Sequence, residues 1–295
     1  MNEFKTYHPI VNFAYLMLVI IFSMFLMHPV CLGVSFASAF IYSVILKGKK
    51  AIKANLLYML PLIIFTAVIN PLVNHAGVTI LCHLPDGNPL TLESVFYGIS
   101  AAVMISSVIA WFSCYNEVMT SDKFIYLFGR VIPSLSLVLS MTLRFVPRFS
   151  VHLRKVIAAQ RCIGCDISQG SVLKRAKNAL AILSIMVTWS LENAIETADS
   201  MKSRGYGLGR RTAFSNYTFD KRDAKVLFVI MVLGIYITVG AVLGKLKFWY
   251  FPMLGGADMT TYGISVFCAY FVLCICPIVI EWWEVRRWEA TKLKI

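Results

Sequence analysis

Apolar residues run through this chain in long blocks, with neither the alternation of a half-buried strand nor the three-to-four spacing of a surface helix. Six blocks contain no Asp, Glu, Lys or Arg: residues 10–27, 30–46, 54–72, 94–115, 226–244 and 263–280. They are 17 to 22 residues long. At about 1.5 Å of rise per residue each reaches across a hydrocarbon core of roughly 30 Å, the shortest only just. The pattern predicts an all-α integral membrane protein with about six transmembrane helices. Four fall in residues 1–115 and two in 225–295, the latter followed by a basic tail. Buried helices of a soluble core are the other reading of apolar runs, but six such runs in 295 residues argue against it.

Between the two sets, residues 116–224 follow a different rhythm and predict long cytoplasmic helices. One begins after Pro133 and passes through Leu143-Arg144-Phe145-Val146-Pro147, where the proline lacks a backbone donor and should kink or restart it. It continues to Gly164, a helix stop. A second begins near Ser171 and runs to Arg204 and Gly205. Along it Leu180, Leu183, Val187, Leu191, Ala194, Ala198 and Met201 are spaced by three or four, which makes one apolar stripe. Ala194 and Ala198 are small enough to admit another helix closely. Helix-on-helix packing is the simplest use of the stripe, and a ligand groove the alternative. Lys202 and Arg204 beside Gly205 suffice as an ordinary helix end, with cations complementing the dipole and glycine taking the left-handed cap. An arginine at a helix tip is also a docking group, since guanidinium presents five donors in a fixed fork.

Composition agrees with the membrane class: 58% of residues are hydrophobic and the mean hydropathy is +0.72. Charge orients the chain. Of 28 Lys and Arg, only Lys245 and Lys247 fall on the side that also receives residues 27–29 and 73–93. The positive-inside rule then places both termini and the 116–224 region in the cytoplasm. The net charge of +13 has the same origin and suits anionic lipid headgroups or an acidic protein partner, not nucleic acid, for which no binding motif is present. The first nine residues do not read as a secretory leader, because Lys5 is their only basic residue and no cleavage pattern ends the apolar run. Trp282, Trp283 and Trp288 with Arg286 and Arg287 read as an interface belt closing the last span.

Candidate chemistry is sparse. Cys162 and Cys165 form a single C-x-x-C, but zinc would need two more ligands and a redox pair a different setting, so this cytoplasmic pair reads as ordinary reduced thiols. His75, Cys82, His83 and Asp86 share one outer loop. Metal capture is one reading and a solvated loop the simpler one. The spans hold no ionisable residue of the kind an ion-coupled carrier uses, and Asn55 and Asn70 are their main polar groups. No paired carboxylates, H-E-x-x-H, G-x-S-x-G or phosphate-binding loop appears, so no catalytic residue, metal site or cofactor is assigned. If the chain does work, its energy arrives from elsewhere. A stand-alone carrier or channel remains the alternative class.

The run 159–166, Ala-Gln-Arg-Cys-Ile-Gly-Cys-Asp, followed by Ala194, Ala198 and the run 199–207, Asp-Ser-Met-Lys-Ser-Arg-Gly-Tyr-Gly, resembles the T component of energy-coupling factor transporters. His8-Pro9 and the 143–147 segment are also similar to that family, and the resemblance covers nearly the whole chain. It implies a non-catalytic scaffold of a bacterial or archaeal plasma-membrane importer for vitamins or transition metals such as cobalt. Its partners would be two ATP-binding-cassette ATPases, a separate substrate-binding membrane subunit, and the bilayer. The family docks each of two helix tips into one ATPase through a short arginine motif. Ser203-Arg204-Gly205 fits that motif. In the first tip the family's Ala-Arg-Gly falls on Cys162-Ile163-Gly164, so Arg161 or Ile163 would serve there, with Gly164 ending the helix. Leu180, Leu183, Val187, Ala194 and Ala198 would face the substrate subunit or the other coupling helix.

Overall fold

The computed structural model describes residues 3–83, 88–129, 132–206 and 217–292; side chains at 50, 54, 133–135, 285 and 287–292 lie outside that description. So do Asp86, Gly207, and the Arg287 and Trp288 side chains named above. The chain forms two compact units, one of residues 1–124 with 217–295 and one of residues 125–216.

The larger unit holds α1 (Pro9–Phe25), α2 (Pro29–Lys47), α3 (Lys49–Val73), α4 (Leu92–Val118), α8 (Lys221–Val242) and α9 (Thr261–Lys292). α4 packs on α1, α2 and α3, while α9 packs on α2 and α8. Two short antiparallel hairpins cap the loops: β1 (Ile80–His83) with β2 (Pro89–Thr91), and β3 (Phe248–Trp249) with β4 (Gly255–Gly256). The fold is all-α, as the apolar runs predict. Among the described residues six helices of 18 or more residues are apolar enough to cross a membrane, and α7 (Val172–Ser203) is one of them. α1, at the first of the predicted spans, is apolar and ends at Phe25 after 17 residues. The shortness of α1 follows from the sequence: the next helix restarts at Pro29, and proline biases the preceding residue away from helical angles.

Both His-Pro pairs start helices in the same way. His8 and His28 take extended angles, the following proline sits in the first turn, and each imidazole Nδ1 accepts the backbone N–H two residues on, at 3.3 Å. The missing N–H of proline is harmless there because first-turn donors have no helical partner. Inside α9 the opposite holds. Pro277 leaves the Leu273 carbonyl without its donor, and the Tyr15 hydroxyl of α1 donates to it at 3.1 Å. Gly98 of α4 lies against the Ala67 carbonyl that Pro71 frees in α3; a methyl at Gly98 would be 3.1 Å from that oxygen.

A hydroxyl chain ties α1, α2 and α4 together. Ser23 and Ser35 lie 2.6 Å apart, Ser35 and Ser107 2.7 Å, and Trp111 Nε1 donates to Ser35 at 3.0 Å. Asn55 donates to Ser43 at 3.1 Å, joining α3 to α2. These groups are buried, so each needs an internal partner. The residues ahead of α1 clamp one end of the unit. The Glu3 and Phe4 amides donate to the Glu281 carboxylate, Arg222 reaches Glu284 at 3.2 Å and stacks over Tyr7, and the His8 amide donates to Asp223. Lys5 pairs with Glu117 at 2.5 Å, and Lys123 of α5 (Ser121–Gly129) donates to the Lys5 carbonyl at 2.6 Å. Burial, then the neighbouring Glu284, pushes the Glu3 carboxyl above the usual carboxylate range. Trp282 and Trp283 stay about half exposed, with Arg286 stacked 3.8 Å over Trp282.

The smaller unit is dominated by α6 (Pro133–Cys162) and α7. α6 runs through Pro147 as one continuous helix, so the predicted restart does not occur. The ring of Trp189 on α7 stacks on His152 at 4.0 Å and on Phe145 at 5.6 Å. This aromatic contact holds the two helices together. The stripe expected to pack α7 on its neighbour does not do so: Leu180, Leu183 and Val187 are 65, 57 and 50% exposed, and Ala194 and Ala198 are exposed as well. Ile182 and Met186 are the buried residues of α7, leading toward Trp189. The face of α7 that carries Ile182, Met186 and the Trp189 ring is a different one from the stripe read in the sequence.

Candidate docking site at two helix tips

Each long helix of the smaller unit ends in the same backbone device. In α6 the cap residue is Ile163 and Gly164 follows at φ +78°. The Gly164 amide donates to the Arg161 carbonyl at 3.1 Å and the Cys165 amide to Gln160 at 2.9 Å. In α7 the cap residue is Arg204 and Gly205 follows at φ +80°. The Gly205 amide donates to Lys202 at 3.0 Å and the Tyr206 amide to Met201 at 3.0 Å. Both are Schellman caps, with the left-handed position filled by the residue that tolerates it. The equivalence goes residue by residue. Ile163 stands where Arg204 stands, Cys162 matches Ser203, and Arg161 matches Lys202.

The side chains differ. Ile163 is 69% exposed, an apolar knob at its tip. Arg161 is turned onto its own loop, where Nε donates to Asp166 Oδ1 at 3.2 Å. Asp166 also accepts from the Ser168 amide at 3.0 Å and the Ser168 hydroxyl at 2.7 Å, and these bonds hold its carboxyl below the usual range. Asn178 and Arg175 of α7 donate to the Asp166 and Ile167 carbonyls, fixing the loop on the next helix. Arg161 therefore builds the tip, and Ile163 is what the tip presents. At the second tip Ser203 Oγ returns to the Ser200 carbonyl at 2.9 Å. The exposed Arg204 guanidinium forms no hydrogen bond or ion pair among the described residues.

Sequence reasoning missed the Asp166 knot and the N-terminal clamp. Asp166-x-Ser168 is an Asx-turn signal, and it could have shown that Arg161 has a local partner. Asp86 of the outer-loop set lies outside the described residues; among those described no group of three or more His, Cys, Asp or Glu converges, and Cys82 is an exposed free thiol, as is Cys162.

Together these features define a multi-pass, all-α membrane protein whose smaller unit carries two matched helix tips. The profile of the CbiQ cobalt transport protein family matches residues 5–214, and the chain belongs to that family. Among proteins similar to it are energy-coupling factor transporter transmembrane proteins EcfT. That of Lactobacillus helveticus is 30% identical over 147 residues, 48% of this chain and 53% of the relative. That of Brevibacillus brevis is 35% identical over 111 residues, 37% of this chain and 42% of the relative. That of Staphylococcus aureus is 31% identical over 114 residues, 38% and 42% of the two chains. The chain spans about half or less of the length of these curated relatives.

Proposed function

We propose that this chain is the membrane energy-coupling subunit of an ATP-driven micronutrient importer. It joins two ATP-binding-cassette ATPases to a separate substrate-binding membrane subunit and passes their motion on. The chain itself is not an enzyme and takes no cofactor; ATP is hydrolysed by the ATPases. Residues 1–115 and 225–295 sit in the bacterial or archaeal plasma membrane, residues 116–224 form the cytoplasmic coupling region, and both termini are cytoplasmic. The observation that carries this reading is the pair of equivalent capped tips at the ends of α6 and α7, a geometry suited to engaging two related partners at once. Family membership and the names of the relatives support it.

Arg204, held between Ser203 and Gly205, is the docking key of the second tip. Its exposed guanidinium matches carboxylates and carbonyls of a partner groove. At the first tip Ile163 fills the equivalent position, so that socket is apolar, with Arg161 and Gly164 shaping the tip. The exposed face of Leu180, Leu183 and Val187, continued by Ala194 and Ala198, meets the substrate-binding subunit. Leu180, Leu183 and Val187 are apolar yet half or more exposed, and small residues permit close helix approach.

Purification of the tagged chain, expressed with its chromosomal neighbours, tests the reading. An ATPase pair should co-purify and Arg204→Ala should reduce its yield. A chain that purifies alone yet moves solute in vesicles would return the stand-alone carrier.

A further inference from the structure

On the far side of the Trp189 contact from the α6–α7 loop, α6 and α7 line a groove of about 1260 Å³. Phe145 and Met201 are among its apolar lining, and its charged residues are Arg144, Arg148, Arg204 and Glu196. Arg144 and Arg148 are four apart, so they share one face of α6. Among the described residues none of the three guanidiniums has a hydrogen-bond or ion-pair partner. Three cations against one carboxylate in a concavity leave an excess of positive charge beside apolar surface. A small anion would satisfy the charge and leave the apolar lining wet, while a neutral lipid would do the reverse. An anion carried on an acyl chain satisfies both.

We propose that this groove binds an anionic phospholipid, with its phosphodiester between Arg144 and Arg148 and an acyl chain along the apolar lining. α7 supports a lipid over an acidic protein segment. It is one of the six helices apolar enough to cross a membrane, and only 11% of its apolar window is buried, so its surface is chemically suited to acyl chains. The groove shares Arg204 with the second helix tip, so the variants that test it change only Arg144 and Arg148, which the ATPase reading does not use.

Native mass spectrometry of the full-length chain, delipidated in a neutral detergent and titrated with phosphatidylglycerol or phosphatidylcholine, tests it. Wild type should retain phosphatidylglycerol in preference. Arg144→Gln/Arg148→Gln should weaken that retention roughly thirtyfold, from two cations lost near a lipid phosphate. Lys174→Gln/Lys177→Gln, which changes exposed cations outside the groove, should leave it unchanged. Circular dichroism checks that the variants keep their helicity. Equal retention by wild type and the arginine variant overturns the site. Displacement of the lipid by millimolar inorganic phosphate would reassign it to a free anion. Unchanged lipid retention with loss of ATPase co-purification would make it a protein-binding surface instead.

Discussion

Tyr15→Phe removes a single oxygen from the centre of the larger unit. Tyr15 is fully buried, and its hydroxyl sits 3.1 Å from the Leu273 carbonyl and 3.3 Å from that of Cys274. Leu273 needs it because Pro277, four residues on, has no N–H to give. Leaving a buried acceptor unpaired costs about 1–3 kcal/mol, and interhelical hydrogen bonds in membrane proteins average roughly 0.6 with a ceiling near 1.7. A loss of about 1–1.5 kcal/mol is therefore expected, from unfolding of the purified chain in mixed micelles at rising denaturing-detergent fraction. The decisive comparison is a double-mutant cycle with Pro277→Ala. Alanine returns the missing donor, so Tyr15→Phe in that background should cost about 0.5 kcal/mol or less. Equal costs in both backgrounds would show that the hydroxyl does not serve the carbonyl freed by proline.

Other outcomes follow from the same geometry. Gly205→Ala should destabilise the second tip by about 1 kcal/mol, because a Cβ is strained at φ +80°, and hydrogen exchange of the Gly205 and Tyr206 amides should report it; unchanged protection contradicts the cap. Burial, then the Lys5 cation, pushes Lys123 down from 10.5 to about 8. The folded chain then binds fewer protons than the unfolded chain between about pH 8 and 10.5, so stability relative to Lys123→Met should rise with pH across that window and be lowest below it. A pH-independent difference in thermal midpoint refutes this. For topology, single-cysteine variants keeping Cys82 or Cys162, both exposed, should label from outside and only after permeabilisation, respectively; the reverse pattern inverts the proposed orientation. The purified chain alone should show no ATPase activity, and turnover abolished by a point mutation within it would overturn the scaffold reading.

Much of the larger unit was legible because a membrane span announces itself by composition: charge-free runs of 17 to 22 residues leave few alternatives. The end of α1 at Phe25 and the overall apolarity of α7 were not read, because length and hydropathy define a continuum and the charge-free windows ignored where proline restarts a helix. The clamp of Glu281 and Glu284 on the N-terminal residues was invisible, since hydrogen bonds to backbone amides leave no spacing signature. In the smaller unit both helix stops could be read from Gly164 and Gly205. The covered face of α7 could not, because it is set by the stacking of one indole on His152 and Phe145, a contact between distant positions. The first tip shows the same limit. The family resemblance left both Arg161 and Ile163 as candidates, and the Asp166 carboxylate that partners Arg161 was not read from the sequence.

ATP-driven uptake by vesicles carrying the whole complex, compared among wild type, Arg204→Ala and Ile163→Ala at equal expression, tests the coupling claim most directly. Truncating one member of a desolvated charge-assisted contact costs roughly 2–5 kcal/mol. Losing the exposed part of an isoleucine side chain at a partner's surface costs less, about 1–2 kcal/mol. Uptake should therefore fall steeply with Arg204→Ala and more mildly with Ile163→Ala, with membrane insertion unchanged in both. If Arg204→Ala takes up solute at the wild-type rate, Arg204 is only a helix cap and the chain does not couple ATPase motion through that tip.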